Sequence, residues 1–165
     1  MVVAFRPALA TLMRRLVGLT LVLMLTVSLA ACGGNQARKP PTISPENIGI
    51  ITRQAEGFLA SRDKLPELAD LVNRKDWIFT RNLIHGPMQE VGRQMLYINK
   101  LLLPADRAEA EERARQLKAS LADLDEAARL QDGENLRKAY IKVASNFGRY
   151  AQILPEEVQV ALKQV

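Results

Sequence analysis

DWIFTRNLIHGPMQEVGRQMLYINKLLL, from Asp76 to Leu103, decides the fold. Trp77, Ile84, Met88, Val91, Met95, Ile98 and Leu102 follow one another at steps of seven, four, three, four, three and four, which lays them in one stripe along an α-helix. At the usual rise the stretch is about 42 Å long, the length of a bundle spine. Gly86-Pro87 interrupts it. Pro87 has no N–H for the carbonyl of Leu83 and its ring crowds that turn, so a kink is expected near His85. Because the stripe keeps its phase across the dipeptide, the expectation is one bent helix.

Outward from this stretch, the neighbouring segments repeat the period. Before it, Ser44-Pro45-Glu46-Asn47 carries the signals of a helix start: a capping hydroxyl, a proline in the first turn and an acid at the positive end. Ile48, Ile51, Ala55, Phe58, Leu65, Leu68 and Val72 then keep helical spacing, with Arg62 at one apolar position. Pro66 predicts a break between Ser61 and Pro66 and a short second segment from Pro66 to Asn73, with Asn73-Arg74-Lys75 as the turn into the central stretch. After it, Pro104-Ala105-Asp106 opens a helix bearing Ala110, Ala114, Leu117, Leu121, Leu124 and Ala128. Gln131-Asp132-Gly133 turns into another with Leu136, Tyr140, Val143, Phe147, Tyr150 and Leu154, stopped at Pro155. Four long patterns joined by short turns predict an all-α, up-down-up-down four-helix bundle over 45–155, with 156–165 as a C-terminal tail. No alternating run competes as a strand.

The N-terminal part has a different character. Residues 1–31 hold Arg6, Arg14 and Arg15, no acid, and an apolar run from Leu16 to Ala30 that ends in Leu29-Ala30-Ala31-Cys32. This is the pattern of a secretory leader. Its apolar run gives about 22 Å of helix against roughly 30 Å of hydrocarbon, short for a permanent span. The cysteine placed directly after Leu-Ala-Ala points to a bacterial lipoprotein signal, cleaved before Cys32, with Cys32 as the lipid attachment site. An uncleaved anchor with an ordinary Cys32 is the plainer reading. Residues 33–44, GGNQARKPPTIS, have nothing to pack with and read as a linker, so that 32–44 is lipidated Cys plus flexible tether, reaching at most about 40 Å.

Cleavage alters the charge argument. The chain of 165 residues has 23 Lys and Arg against 18 acids, a formal +5, but three of those arginines lie in the leader, and without them 20 bases face 18 acids. With no basic block in the body, nucleic acid is not an expected partner. Catalysis finds little to work with. His85 is the only histidine, with no Ser within six residues of it, and the only cysteine is Cys32. No catalytic residue, metal site or cofactor is therefore assigned: a metal would need carboxylates from several helices, while His85 at a kink can simply bond a freed carbonyl. Asp123, Asp125 and Glu126 read as part of a solvated helix face carrying seven acids and five bases. Gly33-Gly34 lacks the strand and the Lys-Ser/Thr of a phosphate loop, and no Cys-x-x-Cys-His is present. Met88 and Met95 belong to the core stripe and Met24 to the leader.

The tract RKDWIFTRNLIHGPMQEVGRQM, with its flanks and the Cys32 leader, resembles the PsbQ family in its cyanobacterial lipoprotein form. The likeness runs through Asp76-Trp77, Arg81-Asn82, Ile84-His85-Gly86-Pro87 and Glu90, and on through Leu102-Leu103-Pro104, the segment Leu121 to Arg129 and the last helix from Tyr140 to Tyr150. The resemblance implies a non-catalytic extrinsic subunit of photosystem II on the lumenal side of the thylakoid membrane. There it would be held by lipid on Cys32, in contact with lumenal subunits and the core, and would stabilise the oxygen-evolving complex when calcium or chloride is scarce. It makes Trp77, Arg81, Asn82, His85 and Arg93 candidate partner contacts, with Trp77 read first as core. The rival expectation is an envelope lipoprotein that binds a small molecule or metal between its helices, which requires a polar-lined cavity.

Overall fold

The computed structural model describes residues 41–163, so the leader, Cys32 and most of the tether lie outside the described residues. Helical periodicity becomes seven helices among those residues: α1 Pro45–Arg62, α2 Leu65–Asn73, α3 Trp77–His85, α4 Val91–Leu101, α5 Pro104–Arg129, α6 Gly133–Ala151 and α7 Glu156–Leu162. There is no strand among them. The helices compose four rods: α1 with α2, α3 with α4, α5, and α6. In the first two rods α1 packs on α4 and α2 on α3, the pairing of antiparallel neighbours. α5 packs on both halves of the second rod and on α6, while α6 returns to α2 and α1. The result is the expected up-down-up-down bundle.

The start signals act as read. Ser44 Oγ accepts from the N–H of Asn47, and Asp76 and Asp132 cap α3 and α6 in the same manner. The first rod breaks at Asp63-Lys64 and resumes at Leu65, with Pro66 in the first turn of α2. The apolar stripes meet inside: Ile51, Phe58, Leu68, Met95, Ile98, Leu117, Leu124, Leu136, Val143 and Phe147 are all sealed from solvent. Small Ala110, Ala114 and Ala128 let α5 approach its neighbours closely.

Two expectations are corrected. The second rod is not one bent helix. α3 ends at His85 and α4 begins at Val91, with Gly86–Glu90 as a turn. The carbonyl of Leu83 is taken by the N–H of Met88 (3.2 Å), one residue beyond the proline that cannot donate. The carbonyl of Pro87 accepts from Ser61 Oγ of α1 at 3.3 Å, a hydroxyl shared with the carbonyl of Gly57. Tertiary bonding therefore holds the break open. Even so Ile84, Met88, Val91, Met95, Ile98 and Leu102 all stay buried, so the stripe survives the interruption.

The second correction concerns the tail. Pro155 ends the fourth rod, but 156–162 form α7, which packs on α1 and buries Val158 completely.

Two rods end on a residue in the left-handed region without a glycine. Lys75 (φ 55) follows α2 and Gln131 (φ 57) follows α5. In each, paired backbone bonds close the turn: Asp76 N to Leu71 O and Lys75 N to Val72 O, then Asp132 N to Ala127 O and Gln131 N to Ala128 O. The two turns meet at one end of the bundle, where a Cβ on Gly133 would come within 3.0 Å of Lys75 Cε. The exposed Gln131 carries the steric cost of that conformation. Gln131→Gly is expected to raise unfolding stability by about 0.5 kcal/mol, read as a higher urea midpoint at unchanged slope.

Candidate functional site

The family-like tract lies on α3, the following turn and the start of α4. Among the expected contact residues, Arg81 and His85 stand one turn apart on α3 and converge on a single oxygen of Asp125, contributed by α5. Arg81 Nε donates to Asp125 Oδ1 at 2.9 Å and His85 Nε2 lies 2.8 Å from the same atom. An ionised carboxylate can only accept, so Nε2 carries the ring proton in this arrangement. Asp125 retains 23% side-chain exposure, against 60% for His85.

Partial burial alone would raise the Asp125 carboxyl; the hydrogen bonds from Arg81 and His85 outweigh it and hold the group below the ordinary aspartate value of 3.8. A carboxyl whose folded value is depressed stabilises the fold above the unfolded value, and that contribution is lost as pH falls through the folded one. Asp125→Asn is therefore expected to lower stability at pH 6 by about 0.5–1 kcal/mol and to remove part of the loss that the wild-type chain shows below pH 4. Urea midpoints between pH 2.5 and 6 check it; parallel curves for the two chains would contradict it.

The other candidates go elsewhere. Trp77 is half-buried and packs against the core. Asn82 is exposed on α3, where it lines a shallow groove with Leu71, Phe79 and Pro87. Arg93, on α4, is paired with Glu90 one turn back. Arg81 and His85 are thus brought together, Asn82 lies on the neighbouring face, and Arg93 stands beyond the break. Sequence reasoning missed two features. By type and spacing Asp125 looks like any acid of the solvated face, as its neighbour Glu126 in fact is, pairing locally with Arg129 at 2.7 Å. Ile78 and Phe79 are 71% and 61% exposed. Their signal was present: in Trp77-Ile78-Phe79-Thr80 three large apolar residues run consecutively, more than one helix face can bury.

A cleft of about 530 Å³ opens between α5 and α6, its apolar lining made by Ala127, Ala139, Leu130 and Ile141. Asp123 and Lys142 face each other across it at 4.0 Å. Among the described residues, no group of three or more His, Cys, Asp and Glu is arranged to hold a metal ion. Nor is any described helix long and apolar enough to cross a membrane.

Filled seams, capped rods and polar clusters on the outside define an antiparallel helical-bundle protein whose distinctive residues lie on its surface. The family model of PsbQ, described as oxygen evolving enhancer protein 3, matches residues 51–155. The protein CyanoQ of Synechocystis sp. (strain ATCC 27184 / PCC 6803 / Kazusa) is 32% identical over 145 residues, covering 87% of this chain and 97% of that protein. The chain belongs to the PsbQ family.

Proposed function

We infer that this protein is a non-catalytic extrinsic subunit of photosystem II that docks on the lumenal face of the complex and stabilises the oxygen-evolving centre by covering it. Family membership, with the family model matching residues 51–155, carries the reading. The packing supports it: the seams between rods are filled by side chains such as Phe58, Met95, Leu117 and Phe147, a rigid body suited to occupying space beside a larger assembly. Asn82, His85 and Arg93 are the exposed candidates for contact, with Arg81 held behind His85 by Asp125 and Trp77 anchoring α3 to the core.

Lipid on Cys32 would hold the chain at the thylakoid membrane and raise its concentration near the complex, so that a modest protein contact suffices. Excluding solvent from the docked face would slow loss of calcium and chloride. The test is isolation of photosystem II from the source cells, with the protein followed by mass spectrometry. It should co-purify with oxygen-evolving complexes, and its mature N-terminus should begin at an acylated Cys32. Its absence from every oxygen-evolving fraction would overturn the reading.

A further inference from the structure

We propose that the outer face of the second rod, carrying Ile78 and Phe79 on α3 and Leu96 and Tyr97 on α4, is the surface through which this chain binds a protein partner with apolar sockets and an acidic rim. The assignment rests on the reading of the chain as a photosystem II subunit, and it names the face that docks.

Seven large apolar side chains are prominently exposed among the described residues, and four of them lie on this rod. Their burial within the bundle is already precluded, because α3 and α4 turn Thr80, Leu83, Ile84, Val91, Met95 and Ile98 inward. The helical stretches from Phe79 to His85 and from Val91 to Leu96 rise about 9 and 7 Å, and the Gly86–Glu90 turn between them keeps Phe79 and Leu96 on the order of 25 Å apart. A typical protein interface covers about 800 Å² per partner, a disc about 32 Å across, so both apolar pairs fit within one contact. Between and beside them stand the Asn82 amide, the Arg93 guanidinium and Lys100. Lys100 Nζ lies 5.8 Å from the centre of the Tyr97 ring. Aromatic residues with an arginine and a few polar groups are the composition of an interface centre.

The charge pattern selects the partner. Lipid recognition by electrostatics takes clusters of about four to eight Lys and Arg. Here Arg93 is already paired with Glu90, and Lys100 is the remaining cation of this face, resting by Tyr97. One unpaired cation set among apolar side chains, with Arg93 held beside it by Glu90, matches a discrete carboxylate on a protein rim far better than a diffuse anionic bilayer.

The experiment uses the full chain and photosystem II cores stripped of their extrinsic subunits. Phe79→Asp and Leu96→Asp are each expected to weaken rebinding at least tenfold. Ile141→Asp, at a position as exposed as Phe79 (61% each) but on α6, should stay within twofold of wild type. Circular dichroism should be unchanged in all three, since none of these side chains belongs to the core. If wild type binds and both rod variants bind equally well, or if Ile141→Asp is weakened as much, the face is wrongly assigned while the subunit reading stands. If wild type itself does not bind, both fall. A preference of wild type over Phe79→Asp for phosphatidylglycerol vesicles would make the partner a lipid surface and overturn the proposal.

Discussion

Phe58→Ala is expected to cost about 3–5 kcal/mol of unfolding free energy, the range for emptying a buried aromatic site. Phe58 is fully sealed, and its ring lies 5.3 Å from Phe147 and 4.9 Å from Tyr150, tilted by 40° and 51°. These tilted contacts add to the apolar transfer term, because a tilted pair avoids the repulsion between negative ring faces that a flat sandwich would carry. Few residues could replace it: the rings of α1 and α6 meet inside the bundle, and the close-packed rods cannot collapse into a cavity of that size. Since domains of this size have stabilities of about 5–15 kcal/mol, the loss is a large fraction of the whole. Phe58→Leu, which keeps much of the volume, should cost about 1–1.5 kcal/mol. Urea unfolding followed by circular dichroism separates the two. A Phe58→Ala chain within 1 kcal/mol of wild type would show that the aromatic cluster does not organise the core.

The seams could be read from sequence because helical period is local: each stripe needs only residues three and four apart, and turn residues announce where one rod ends. What escaped depended on residues remote in sequence. Pro87 alone argued for a kink, but whether the rod bends or breaks is decided with Ser61, 26 residues earlier, which donates to the Pro87 carbonyl. Likewise nothing around Asp125 marked it as different from Asp123 until α3 was placed against α5 and His85, 40 positions away, came into reach. The tail was a different kind of miss. Glu156-Glu157 directly after Pro155 is a helix-start signal, and Val158 followed by Leu162 is one helical step. A segment that short has little periodicity of its own, and it forms because α1 offers it an apolar surface. For Ile78 and Phe79 the limit is one of choice: three consecutive large apolar residues announce that one helix face cannot bury them all, but which of them stay outside depends on which side of α3 the bundle leaves uncovered.

Tyr150→Phe should destabilise by about 1–3 kcal/mol, although it removes one oxygen and leaves the ring in place. The hydroxyl is buried and donates to Asn99 Oδ1 at 2.7 Å, with the carbonyl of Met95 at 3.2 Å as a second acceptor. Burial pushes the phenol far above its ordinary range, so it remains a donor at neutral pH. Asn99 is itself buried at the α4 end of this contact. Taking away the donor leaves its amide oxygen in apolar surroundings, and the cost is that of a stranded acceptor rather than of an average hydrogen bond. The second step follows from the same asymmetry. In the Tyr150→Phe background, Asn99→Leu should recover most of the loss, because two apolar side chains then replace two polar ones in similar volume. In the wild-type background the same Asn99→Leu should destabilise, since it leaves the tyrosine only the longer bond to the Met95 carbonyl. The four stabilities make a double-mutant cycle with a coupling of at least about 1 kcal/mol. A coupling near zero would mean that the Met95 carbonyl alone satisfies the hydroxyl and that the tie between α4 and α6 is packing without a polar lock.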